Sequence, residues 1–199
     1  SDLMQPDISE CMIVAEIEYT LRKNGADDML VVISSDGAHR LIGPPDPKRK
    51  LKAGRNVIVE IAVKYNGYWT QVARTFSVKP STTQQEQIYT TIHEAYEMAA
   101  KSLTPGLKSG EIARILSVFL SEKGYGDSIE QDFGHGIGFD LPEMPKLTPS
   151  DNTFLEPGMV IVVHPAIRKK GTGGAFIGGT VLITKKGPEL LHSIPKELP

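Results

Sequence analysis

A set of spaced residues in the first quarter of this 199-residue chain returns about half a chain later, and that repeat limits the folds open to it. Pro6, Ile13, Ile17, Leu21 and Gly25 recur 99 residues on as Pro105, Ile112, Leu116, Leu120 and Gly124. The apolar members fall on one face of a helix, and the closing glycine is a helix stop. Leu51-Lys52-Ala53-Gly54 recurs 104 residues on as Leu155-Glu156-Pro157-Gly158. Each copy precedes an apolar strand, Val57-Ile58-Val59 and Val160-Ile161-Val162-Val163. Helix, turn and strand in the same order twice imply an α+β fold of two related halves facing each other across a cleft. In that register Glu60 and His164 are equivalent, each read as ending its strand and so placed to line the cleft.

The local signals fill in the rest. A first helix is expected from Ile8 to Asn24, capped by Asp7 or Ser9. A short strand over Met29–Ile33 and a Gly- and Pro-rich loop over Ser34–Lys50 follow it. Asn66-Gly67 is a two-residue hairpin signal joining strands Val57–Val63 and Tyr68–Val78. That turn pairs Tyr65 with Tyr68 and Ala62 with Gln71, so Glu60, Ala62 and Gln71 share a face and Glu60 and Gln71 are diagonal neighbours. Trp69 falls on the face opposite Tyr68. A long helix begins at Ser81 or Thr82, with Ile88, Ile92, Tyr96, Ala99 and Leu103 as its buried stripe. A further helix spans Ser109–Lys123. Strands are expected near Phe133–Phe139, Met159–Ala166 and Ala175–Thr184.

Apolar residues make up 40% of the chain and charged ones 23%, the balance of a globular protein, and residues 1–199 read as one domain. A net charge of −2 gives no footprint for nucleic acid or an anionic membrane. No apolar run approaches the length of a membrane span. The one cysteine, Cys11, reads as a small buried hydrophobe in a helix, and the absence of a second excludes an internal disulfide, in keeping with a cytoplasmic protein. Lys48-Arg49-Lys50 reads as a solvated loop.

Five segments in order carry a resemblance. They are the Pro6–Gly25 helix entry, VEIAVKYNGYWTQVARTF from Val59, GHGIGFDLPEMP from Gly134, LEPGMVIVVHP from Leu155, and GGTVLIT from Gly178. Together they resemble the creatinase, methionine aminopeptidase and prolidase family, with its pita-bread fold. The resemblance implies that the family's upstream helix and N-terminal domain are absent from this chain, and that the protein forms a homodimer.

The resemblance also implies a two-metal site of two Asp, one His and two Glu, against which this sequence departs. The first Asp position is Glu60, the second is Gln71, the His is present as His135, the first Glu is His164 and the second is Gly178. Of the family's two assisting histidines, one position holds Pro142 and the other falls near Ile42 or Gly43, off the register of His39. Glu143 and Pro145 match the family, which leaves His135 and Glu143 as the catalytic candidates. Bridging two divalent ions takes carboxylates, so dinuclear peptidase activity is not expected. The cleft residues Glu60, Gln71, His135, His164 and Gly178 then suit a non-catalytic module for a peptide or small-molecule ligand, with no cofactor. The alternative is an altered hydrolase, either holding one divalent ion, Zn or Mn, on Glu60, His135 and His164 or working without metal. His135 between glycines and His164 at a strand end also read as hydrogen-bonded structural histidines.

Overall fold

The duplication is built into the backbone. The computed structural model describes residues 3–36, 40–129 and 131–193. In chain order its elements are α1 (Glu10–Lys23), β1 (Asp28–Ser34), β2 (Arg55–Tyr65), β3 (Tyr68–Val78), α2 (Thr83–Ser102), α3 (Ser109–Glu122), β4 (Gly134–Gly136), β5 (Glu143–Lys146), β6 (Val160–Val163), β7 (Ala166–Lys169), β8 (Gly173–Phe176), β9 (Gly179–Thr184) and β10 (Gly187–Leu190). Helices α1 and α3 are each 14 residues long and lie 99 positions apart. Each runs out into a glycine with positive φ, Gly25 at 89° and Gly124 at 81°, where a side chain would be strained. The chain entering each helix is pinned the same way. Leu51 N–H donates to Ile8 O at 2.8 Å in the first half, and Leu155 N–H to Leu107 O at 2.9 Å in the second.

The halves are mixed α+β units. Strands β1, β2 and β3 form an antiparallel sheet, and β10-β9-β6-β4-β5 form a five-stranded one, with β7 and β8 as a separate ribbon. The Asn66-Gly67 turn sets the hairpin register as expected, with Tyr65 opposite Tyr68 and Ala62 opposite Gln71. Ile13, Val14, Ile33, Leu51 and Val57 make the first-half core. In the second half, α2 begins with a capping box: the Thr82 hydroxyl accepts from Gln85 N–H while the Gln85 side chain accepts from Thr82 N–H. Its expected stripe, Ile88, Ile92, Tyr96, Ala99 and Leu103, is buried against Ile112, Leu116 and Leu120 of α3 and Ile161, Val163 and Val181 of the larger sheet. Among the described residues no helix is long and apolar enough to cross a membrane.

Three expected strands are shorter than their apolar runs. Only Gly134–Gly136 of Phe133–Phe139 is strand. The Met159–Ala166 run ends at Val163, and Ala166 opens β7 in a different ribbon. Pro165 has no N–H for the ladder, so the chain leaves the sheet at His164-Pro165. The Ala175–Thr184 run is likewise divided at Ile177-Gly178 into β8 and β9. Glu60 does not end its strand: the hairpin ladder continues to Tyr65 and leaves it mid-strand, so of the matched pair only His164 stands at a strand end. Helix α1 starts after Ser9, whose hydroxyl accepts from Met12 N–H, and this excludes Ile8. Cys11 is half-buried rather than buried. His93 is half-buried with its ring stacked on Tyr89. Trp69 lies opposite Lys64 and shares the face of Gln71, as alternation requires.

The two sheets are joined where the outer edge of β3 meets residues 176–180. Ala73 N–H donates to Gly178 O at 3.1 Å, and Gly178 N–H donates back to Ala73 O at 3.0 Å. Above and below this rung, threonine hydroxyls replace backbone groups. Thr75 Oγ1 donates to Phe176 O and accepts from Phe176 N–H, at 3.0 and 2.8 Å. Thr180 Oγ1 donates to Gln71 O and accepts from Gln71 N–H, at 2.9 and 3.0 Å. An offset of 105 residues carries Gln71, Ala73 and Thr75 onto Phe176, Gly178 and Thr180, so the seam is its own image under the internal two-fold.

Candidate functional site

The sequence-predicted cleft residues follow one another across this seam. Glu60 and Gln71 project from the same face of the hairpin, and the Gln71 side-chain amide donates to the Glu60 carboxylate in a short contact. Ala73 faces Glu60 in the ladder, and Gly178 pairs with Ala73. A Cβ placed on Gly178 would stand 3.1 Å from both Ala73 Cβ and His164 Cβ. His164 then contacts His135, their rings edge-on with centroids 5.2 Å apart. Arg74, buried in the same seam, donates through Nη1 to Gly178 O and Ala73 O at 2.6 Å each.

His135 sits in β4, opposite Val162 of β6. Its Nδ1 lies 2.8 Å from Gly136 O. A carbonyl only accepts, so Nδ1 carries the proton and Nε2 presents a lone pair. His164 has the other tautomer. The Gln131 side-chain amide donates to His164 O at 3.4 Å and to His164 Nδ1 at 3.3 Å, which leaves the ring proton on Nε2. The His164 ring also lies edge-on to Phe176, with centroids 5.6 Å apart.

Burial sets the protonation states. It depresses His135, with the hydrogen bond to Gly136 opposing. It depresses His164 further, to about 3, with the nearby His135 adding to the effect. Both imidazoles are therefore neutral near pH 7. Burial raises the Glu60 carboxyl to about 7, with the Gln71 hydrogen bond pulling the other way. At neutral pH the group has two neutral rings, one amide and one carboxyl poised between its two states.

The remaining candidates lie elsewhere. Glu143 closes its own loop, its Oε1 accepting from Asp140 N–H at 2.8 Å. Pro142 is exposed beside it, and His39 lies outside the described residues. Among the described residues, no three His, Cys, Asp or Glu side chains gather as a set able to hold a metal ion. The Glu60, His135 and His164 trio is thus not assembled, because the imidazoles adjoin each other while Glu60 is turned onto Gln71 along its own hairpin. Gln131 and Phe176, which hold the His164 ring, went unread in the sequence: Gln131 lies in irregular chain before β4, and no spacing announces it.

Comparison with known proteins agrees with this architecture. Residues 1–185 match the model of metallopeptidase family M24. The chain is 31% identical over 188 residues to an Xaa-Pro dipeptidase of Pyrococcus furiosus, covering 94% of this chain and 54% of that protein. It is 32% identical over 198 residues to a putative dipeptidase of Bacillus subtilis, covering 98% and 54%. It therefore spans about half the length of the curated relatives it matches. Among solved structures it resembles an Xaa-Pro dipeptidase from Bacillus anthracis at 30% identity and a TM-score of 0.87, covering 98% of this chain and 55% of that one. It also resembles the prolidase from Pyrococcus furiosus at 29% identity and a TM-score of 0.89, covering 96% and 58%. The α+β architecture is that of the pita-bread fold.

Proposed function

The chain belongs to metallopeptidase family M24, and from that premise we propose that its cleft binds a peptide or peptide-like small molecule without two-metal hydrolysis. The observation that carries this reading is Gly178. It supplies no carboxylate, and its backbone is committed on both sides to Ala73, with Ala73 Cβ and His164 Cβ each 3.1 Å from where a Cβ would stand, so that both must give way to admit one. The donor chemistry supports the same reading. Two divalent ions held close together need several anionic ligands to offset their repulsion. Across Glu60, Gln71, His135, His164 and Gly178 the only side chain able to carry negative charge is Glu60, whose acid form burial favours. These residues do not fit a dinuclear group.

A second reading, a metal-free hydrolase, is favoured by the Glu60 carboxyl standing near 7, where one group can both accept and deliver a proton. One experiment separates the readings. Trp69, the chain's only tryptophan, shares the hairpin face of Gln71 and reports on the cleft by fluorescence. Protein purified without chelator is assayed for metal content, then titrated with Xaa-Pro dipeptides with and without EDTA while free proline is measured. Saturable quenching, indifferent to EDTA and without release of proline, is the expected result. Stoichiometric metal together with EDTA-sensitive turnover overturns the proposal, and EDTA-insensitive turnover lost in Glu60→Gln establishes the second reading. A homodimer, suggested by family analogy, is checked by light scattering.

A further inference from the structure

The run Lys48-Arg49-Lys50 is not spread over a featureless loop. With Lys52, Arg55, Ser35, Asp36 and Asp46 it lines a cavity of about 330 Å³ at the entry to β2. Five cations against two carboxylates leave the wall three charges positive, in a chain whose net charge is −2. Asp46 pairs with Arg49 at 3.4 Å. Among the described residues Lys48, Lys50, Lys52 and Arg55 take part in no ion pair. Cations held round a concavity with too little counter-charge repel one another, and a bound anion relieves that repulsion.

Two observations indicate that the cavity is a built site. The first is its support. Glu10 is fully buried beneath it, and its carboxylate accepts from Ser35 N–H at 2.7 Å and from Asp46 N–H at 2.8 Å. Ser35 and Asp46 stand on the cavity wall, so one buried side chain fixes the spacing of its two sides. Arg40 satisfies the rest of the Glu10 charge at 3.0 Å. The second observation comes from the duplication. The offset of 104 residues places Asn152, Thr153, Phe154, Glu156 and Met159 where the first half has Lys48, Arg49, Lys50, Lys52 and Arg55. The same loop thus folds in the second half without a cation at any of these positions, so the scaffold does not require them.

We propose that this cavity binds a small anion carrying two or more linked phosphate groups, at a site separate from the cleft. The excess of three positive charges matches a diphosphate better than a lone carboxylate. Two guanidinium forks among ammonium groups suit planar and point-charge contacts to phosphate oxygens. The volume is that of a small-ligand pocket, and the cations surround a hollow instead of forming the extended stripe a nucleic-acid backbone needs.

Isothermal titration with inorganic pyrophosphate tests the site on the parent, Lys50→Gln/Arg55→Gln, Lys48→Gln/Lys52→Gln, and a charge-matched control, Lys185→Gln/Lys186→Gln. Saturable 1:1 binding is expected for the parent and control, weakened at least about tenfold in either cavity variant. The second cavity variant leaves the first strand residue intact, so the result stands even where Arg55→Gln perturbs folding. No heat of binding, or equal weakening in the control, overturns the proposal. So does an oligonucleotide that displaces pyrophosphate and binds tighter with a steeper salt dependence, which would assign the surface to nucleic acid.

Discussion

Replacing Glu60 with glutamine changes one titration and little else, because the amide keeps the shape of the carboxyl beside Gln71. Burial raises the Glu60 carboxyl from 4.5 to about 7. The acid form is thus favoured in the folded chain, and the linkage sign follows. The stabilising contribution is complete below the unfolded value near 4.5 and is lost as pH rises through about 7. The interval corresponds to about 3 kcal/mol, at roughly 1.4 kcal/mol per pH unit. Glu60→Gln has no proton to lose there. Urea unfolding of parent and variant, followed by far-ultraviolet circular dichroism at several pH values, gives the difference in stability, in which the other titrating groups cancel. The variant should match the parent within about 1 kcal/mol near pH 4.5 and exceed it by about 2–3 kcal/mol near pH 8. A difference that stays flat across that range, or that favours the parent at high pH, would show that burial does not hold the Glu60 carboxyl in its acid form.

Two further outcomes follow from the same site and seam. His164 is depressed to about 3 from its ordinary 6.5, so its contribution is complete above 6.5 and lost as pH falls toward 3. By pH 4.5 the loss reaches roughly 3 kcal/mol, and thermal unfolding of His164→Gln should lack that acid slope, whereas an unchanged slope would place the titrating group elsewhere. Thr180→Val keeps the side-chain shape but strands the buried Gln71 N–H and C=O that Thr180 Oγ1 serves. It should lower stability by about 1–3 kcal/mol, a fall of several degrees in Tm by calorimetry, and a neutral result would mean that the hydroxyl is not what joins the halves there.

The periodic parts of the fold were legible in the sequence. Ile13, Ile17 and Leu21 announced α1, their counterparts announced α3, and Asn66-Gly67 set the register that brings Gln71 onto Glu60. The apolar runs after residue 130 misled because one run served two elements: Pro165 removes a ladder donor, and the chain leaves β8 at Ile177-Gly178, where Gly178 pairs with Ala73 before β9 begins. The seam was hidden for a different reason. Thr75 and Thr180 do with a hydroxyl what a strand does with its backbone, and a single hydroxyl has no period to read. Likewise the tautomer of His164 is set by Gln131, 33 residues away, through contacts that only the fold creates.

The symmetry of the seam bears on how the proposed change of chemistry is tied to the fold. Ala73 and Gly178 occupy equivalent places and face each other at the two-fold, where the Ala73 methyl and a Cβ on residue 178 would meet at 3.1 Å. His164 Cβ crowds the same point from the other side at 3.1 Å. A carboxylate at 178 therefore needs room from two neighbours at once, one of them at a position that the family resemblance reads as a ligand. Residues 164 and 178 thus form one packed unit. Introducing Glu at either position alone would place a charged side chain against a closed, hydrogen-bonded rung, where desolvation opposes it before any ion can compensate. On this reading, what holds the cleft away from two-metal chemistry is the packing across the two-fold as much as the missing charge.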